Sequence, residues 1–175
     1  MTKGVEAEQI LRKRAQALAR TPPPPASGTM LELLQFGLAS ERYAVECRFV
    51  QEVHPLRDLT PLPCTPAFIA GIVNVRGRVV PVIDLKKFFG LPERGLTDLH
   101  RTIVVRGHDL EVGLLADVII GISSVPAASL QPSLPTLTGI RAEYLKGITD
   151  QSLVVLSVDR ILLDPKIIVH EEVEG

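Results

Sequence analysis

The stretch Ala67-Phe68-Ile69-Ala70-Gly71-Ile72-Val73-Asn74-Val75-Arg76-Gly77-Arg78-Val79-Val80-Pro81-Val82-Ile83-Asp84-Leu85 decides the architecture. Residues 67–70 read as a helical turn and 71–75 as a strand. Arg76-Gly77 is a hairpin turn, because glycine takes positive φ without steric penalty. Residues 79–83 are apolar throughout, which predicts a strand covered on both faces. A short helix over 86–89, closed by Gly90, follows. The stretch holds no nucleophile, no metal cluster and no phosphate loop, so it points to a docking surface and away from a catalytic pocket.

The chain carries a weak echo of this unit. Phe68 and Gly71 match Tyr144 and Gly147, and Asp84 matches Asp159 at nearly the same spacing. Each aspartate ends an apolar run, so each is expected to cap the helical turn after it. Around these cores lie further short strands. Leu34, Phe36 and Leu38 alternate, residues 39–42 turn the chain, and Tyr43, Val45 and Cys47 alternate again. Val50 and Val53 continue the pattern, and prolines 55, 61, 63 and 66 punctuate the loop beyond. In the second half Ile103, Val104 and Val105 lead to a turn at 107–109. Leu110, Val112 and Leu114 alternate, 118–122 is apolar, and a Pro/Ser segment spans 126–138. Strand–turn–strand, loop, aromatic-x-x-Gly-Ile, turn, apolar strand is thus used twice, which suggests two small barrels side by side.

The ends differ from this body. Over 5–20, Ala7, Ile10, Leu11, Ala15, Ala17 and Leu18 recur at helical spacing, and residues 1–20 set five cations against two carboxylates. Pro22-Pro23-Pro24-Pro25 stops that helix and forms a stiff polyproline spacer. The organisation read here is a helical arm and tether over 1–29, a main domain over 30–165, and a tail over 166–175. Within the domain the subdomains fall at roughly 30–90 and 99–165, with strand exchange between them left open.

Composition narrows function. The chain has 175 residues, 46% hydrophobic, with only 4% aromatic and no tryptophan, a β-branched core suited to sheets. A net charge of −1 excludes a global basic field, so neither nucleic acid nor an anionic lipid surface is an expected partner. Cys47 and Cys64 fit no metal or redox spacing and read as lone thiols of a cytoplasmic protein. His54, His100, His108 and His170 are scattered without ligand spacing, so no metal and no cofactor is expected. No signal peptide and no membrane-spanning run is seen.

Several motifs in order resemble the bacterial chemotaxis coupling protein family CheW. Asn74-Val75-Arg76-Gly77 with Val80-Pro81-Val82-Ile83-Asp84-Leu85 is similar to its core signature, and Thr65–Gly71 to the segment before it. Val50-Gln51-Glu52-Val53, Val112-Gly113-Leu114-Leu115-Ala116-Asp117-Val118 and Tyr144-Leu145-Lys146-Gly147-Ile148 extend the resemblance over roughly 30–165, with Ala116 where a larger aliphatic is usual. The resemblance implies a mainly β fold of two SH3-like five-stranded barrels with short helices, here with the N-terminal helical arm added. It also implies a non-enzymatic adaptor that links methyl-accepting chemoreceptors to the histidine kinase CheA. On the same resemblance, the receptor's cytoplasmic hairpin tip would sit in a groove near the subdomain junction, and the regulatory domain of CheA would pack against the barrels, with other CheW-like domains as further partners. Recruitment to membrane-associated receptor arrays would follow.

By motif position the receptor-side residues fall on Val50, Glu52, Gly71, Asn74 and Arg76, while the kinase-side residues are not assignable. From the residues alone, Arg76 and Arg78 read equally as solvated turn charges, Val50 as a core valine and Asn74 as a turn-capping amide. Glu52 is placed to orient Arg76 as an ion pair. Two alternatives stand beside the chemotaxis adaptor. One is a coupling protein of a pilus or developmental pathway, motivated by the arm; the other, more remote, is an enzyme on a double β-barrel.

Overall fold

The computed structural model describes residues 28–92, 99–132 and 140–167. The predicted arm (1–27 of it) and most of the tail (168–175) lie outside the described residues. Alternation builds the first hairpin: Leu34, Phe36 and Leu38 on β1 (Met30–Leu38) and Tyr43 and Val45 on β2 (Glu41–Glu46) are all buried on one face. A 3₁₀ turn, Cys47–Phe49, then leads to β3 (Val50–Pro55). The deciding stretch forms β4 (Ile69–Val75), β5 (Arg78–Ile83) and α1 (Leu85–Phe89). The second half repeats the order as β6 (Arg101–Gly107), β7 (Leu110–Ala116), β8 (Val118–Pro126), a one-turn α2 (Ile140–Glu143), β9 (Leu145–Ile148), β10 (Val154–Leu156) and α3 (Val158–Leu162).

Two five-stranded sheets result, in the orders β8-β1-β2-β10-β9 and β3-β6-β7-β5-β4. Each is a hairpin (β1-β2 or β6-β7) flanked by an antiparallel strand and by a parallel strand that carries a further antiparallel one. Each sheet closes through one isolated bridge. Thr60, beyond β3, exchanges two hydrogen bonds of 2.9 Å with Ile72, and Gln131, beyond β8, does the same with Ile148. The architecture is mainly β, in two SH3-like barrels. The sheets do not part the chain at a single point. β1 and β2 belong with β8–β10, and β3–β5 with β6 and β7, so the chain crosses between barrels after β2 and again after β7.

The core has three parts. Val73, Val75, Val80, Val82, Val104 and Leu115 fill one barrel, and Leu33, Ala44, Leu153 and Val155 fill the other. The largest cluster lies between them, where Phe36, Leu38 and Tyr43 meet Ile103, Val105 and Leu114 under α1 and α3. Fully burying each such aliphatic stabilises the fold by roughly 1.5–3 kcal/mol. The barrels are therefore joined by a core, not by a hinge.

Repeat-equivalent residues hold this junction. Phe68 and Tyr144 both pack on Phe88, with ring centroids 5.1 and 4.9 Å away. The Phe68 carbonyl accepts from the Asp84 N–H at 2.7 Å, and the Tyr144 carbonyl accepts from the Ser157 N–H at 2.7 Å. Asp84 caps α1 as expected, accepting from the Lys86 and Lys87 N–H groups, and Gly90 closes it with φ 67°. Asp159 is not a cap. Ser157 accepts from the Arg160 N–H at the head of α3, and Asp159 sits inside the first turn, 3.0 Å from His108 Nε2. Two further expectations are corrected. The strand expected from residue 71 already begins at Ile69, and Val79 is 66% exposed, so burial on both faces starts only after it.

Candidate functional site

The Arg76-Gly77 turn takes positive φ at both residues, 52° and 82°, the form that matches the twist of a two-residue hairpin. Asn74 Oδ1 accepts from the Gly77 N–H at 2.8 Å, which pins the turn. The Arg76 side chain is 77% exposed, with Nε 3.1 Å from Glu52 Oε2. Arg78 reaches from β5 to Glu52 Oε1 (3.1 Å) and to Glu111 on β7, Nη1 lying 2.6 Å from Oε1. His54 Nε2 stands 2.8 Å from Glu52 Oε2. One carboxylate, only 16% exposed, thus gathers His54, Arg76 and Arg78. Its pKa is held below the ordinary carboxylate value chiefly by the His54 contact, against the opposing effect of desolvation, with the charges of His54, Arg76 and Arg78 adding to it.

The five expected receptor-side residues are not one cluster. Glu52 and Arg76 meet directly, and Asn74 stands exposed beside them, opposite Val79 in the β4–β5 ladder. Val50 begins β3 and is half-buried against the inter-barrel core; a bulge between it and Glu52 leaves Gln51 exposed. Gly71 is buried, and a β-carbon there would stand 2.3 Å from the Thr60 carbonyl oxygen. That glycine lets the barrel close and presents no side chain to a partner. Val53 and Val79 are the exposed aliphatics of this region. His54 and Glu111 were missed from sequence. Glu111 carries a signal, an acid out of phase with Leu110, Val112 and Leu114, but its meeting with Arg78 depends on a parallel β5–β7 pairing that no local pattern shows.

A cleft of about 840 Å³ opens beside the first crossover, lined in part by Met30, Leu31, Glu46, Cys47, Ser124 and Lys146. Glu46, buried at the end of β2, is bound by Lys146 and by Arg48 at 2.5 Å. The second crossover carries a counterpart. Asp117 accepts from buried Lys86 Nζ (2.7 Å) and from the Ala39 N–H (2.7 Å), with His100 Nε2 at 2.9 Å. Desolvation opposes its ionisation, but the Lys86 and Ala39 hydrogen bonds and the Lys86 and His100 charges outweigh it and hold its pKa low.

The family model described as CheW-like domain matches residues 32–166. The chain belongs to the CheW-like family. Among its relatives, the chemotaxis protein CheW of Treponema pallidum is 30% identical over 149 residues, covering 81% of this chain and 88% of that protein. Protein FrzA of Myxococcus xanthus is 35% identical over 122 residues, 69% of this chain and 75% of its own. The crystal structure of the scaffolding protein TtCheW from Thermoanaerobacter tengcongensis superposes with a TM-score of 0.68 at 31% identity, covering 79% of this chain and 91% of that one. The function that goes with this membership is that of a chemotaxis coupling scaffold. Among the described residues of this CheW-like chain, no helix is long and apolar enough to cross a membrane, and no group of three His, Cys, Asp or Glu is placed to hold a metal ion.

Proposed function

We propose that the chain acts without chemistry of its own, coupling the cytoplasmic hairpin tips of methyl-accepting chemoreceptors to the regulatory domain of CheA. The observation that carries the receptor side is Arg76. It is a guanidinium held out from a pinned turn by a carboxylate already shared with a second arginine, with donors left over for a partner's carboxylates or helix carbonyls. The exposed Val79 lies three residues on, and the cleft beside Cys47 and Arg48 leads along the chain to Val50. A helical hairpin laid from that cleft across Val50 toward Glu52 and Arg76 meets the aliphatic side chain of Val50 between two charged sites, Glu46 with Arg48 and Lys146 in the cleft and Glu52 with Arg76 at the turn. Gly71 serves this surface indirectly, by seating β4 against Thr60. The cleft itself favours a scaffold over an enzyme. Its buried carboxylate is neutralised by two cations, and the Cys47 thiol is pushed up by desolvation and by Glu32, away from the thiolate. Coupling of this kind places the protein at membrane-associated receptor arrays on their cytoplasmic side.

The test is capture by an immobilised receptor hairpin and, separately, by the CheA regulatory domain. Arg76→Glu is expected to lower receptor capture at least tenfold, leave kinase capture within twofold, and keep the thermal midpoint within about 3 °C. Unchanged receptor capture, or loss of both partners together, overturns the assignment. The similarity to FrzA, a relative not named as a chemotaxis protein, supports a second reading in which the same surface serves a non-flagellar pathway. Preference for the receptor of one pathway over another in the same capture assay decides between them.

A further inference from the structure

His54 and Arg76 compete for one oxygen. His54 Nε2 stands 2.8 Å from Glu52 Oε2 and Arg76 Nε stands 3.1 Å from that same atom, so imidazole and guanidinium lie within about 6 Å of each other. Among the described residues no other carboxylate is within ion-pair distance of His54. On β6 its register partner Thr102 is uncharged, and Arg101, next along, is turned to the Leu99 and His100 carbonyls. On β5 and β7, Arg78 and Glu111 bind each other. Arg57 and Asp58, beyond β3, line a hollow of about 210 Å³ beside the ring and form no ion pair among the described residues.

We propose that His54 is a positioning residue: on taking up a proton its ring claims Glu52 and releases Arg76 to a receptor's acceptors, so that receptor capture strengthens as pH falls. The proposal rests on Arg76 being the receptor-side residue. Nε2 faces a carboxylate, so it carries the hydrogen of the neutral ring. Protonation goes to Nδ1 and adds a full charge without breaking the Nε2 contact. Glu52 stays ionised meanwhile, because its pKa is held below the ordinary carboxylate value, first of all by the His54 hydrogen bond. With His54 neutral, Glu52 and Glu111 balance Arg76 and Arg78. With His54 charged, one cation is in excess and two like charges share one oxygen. The cation that gives way is the one held least. Arg78 is tied to Glu111 as well as to Glu52, and the His54 side chain is 33% exposed against 77% for Arg76. An ion pair so open to water is weak, and one added charge suffices to break it. The freed guanidinium stays at the pinned turn, with its whole fork available to a carboxylate.

Isotope-labelled full-length protein tests the release with no partner present. The Arg76 Nε–Cζ NMR correlation is expected to move as pH falls from about 8 to about 5.5, the range in which histidine changes charge. It should stay still in His54→Gln. Capture by an immobilised receptor hairpin should rise about threefold over that range in wild type, relative to the same ratio in His54→Gln, which cancels titration of the receptor and of the other histidines. His54→Lys, charged throughout, should capture at the higher pH about as well as wild type at the lower. An Arg76 correlation that does not move, or that moves equally in His54→Gln, overturns the release whatever the receptor does. Movement with equal capture ratios in wild type and His54→Gln overturns the tuning. Unchanged capture by Arg76→Glu, with the correlation still titrating, marks the receptor-side reading as the failure and takes the tuning down with it.

Discussion

Gly71 has φ 148° and a neighbouring backbone oxygen 2.3 Å from where a β-carbon would stand, whereas Gly77 has φ 82° and open space around it. Both alanine replacements strain the backbone, but only Gly71→Ala must also push a closing strand segment away. We expect Gly71→Ala to cost about 2–4 kcal/mol and Gly77→Ala about 1 kcal/mol in urea unfolding. Gly71→Ala should therefore lose partner capture together with stability, whereas Arg76→Glu should lose receptor capture alone. Asp117 gives a pH signature. Its native pKa is depressed, so its contribution is present above the unfolded value near 4 and is lost as pH falls through the lower native value. Stability measured down through that acid window should fall in wild type and fall less steeply in Asp117→Asn.

Helix caps and strand faces show what local pattern conveys. Removing the Asp84 carboxylate deprives two N–H groups of α1, so Asp84→Ala should cost about 1 kcal/mol, against a few tenths for Asp159→Ala, which caps nothing. On β5, Val80→Ala should cost about 2 kcal/mol and Val79→Ala close to none, since only Val80 is buried. The same contrast marks what was legible in the sequence. Alternation around Phe36, Tyr43 and Leu114 found the strands, and the paired aromatic-x-x-Gly units found the duplication. Val79 was misread because an unbroken apolar run looks the same whether or not its first residue overhangs a barrel rim. Asp159 was misread because the echo was aligned on residue type, whereas the Phe68 and Tyr144 carbonyls align Asp84 with Ser157. Glu52–Arg76 was foreseen from motif order, but Arg78–Glu111 required knowing which strands are neighbours.

Each barrel draws strands from both halves of the chain, and the inter-barrel cluster is larger than either interior, so neither barrel has a core that survives loss of the other. Chemical unfolding should follow one transition, with probes at Phe36 and at Val80 giving the same midpoint. Cutting the backbone between residues 92 and 99 should leave two fragments that travel together through size exclusion under native conditions. Separation into two independent folded pieces would contradict the sheet order. The double crossover also bears on ancestry. A hairpin that lends its next three strands to a neighbour is half of an intertwined homodimer, and two such halves joined end to end give this connectivity without any new wiring. A fused pair is released from strict symmetry. That release is where one copy keeps an aspartate at its helix head and the other a serine, and where one flank was free to become an exposed arginine turn while the other took on exposed aliphatics along β8.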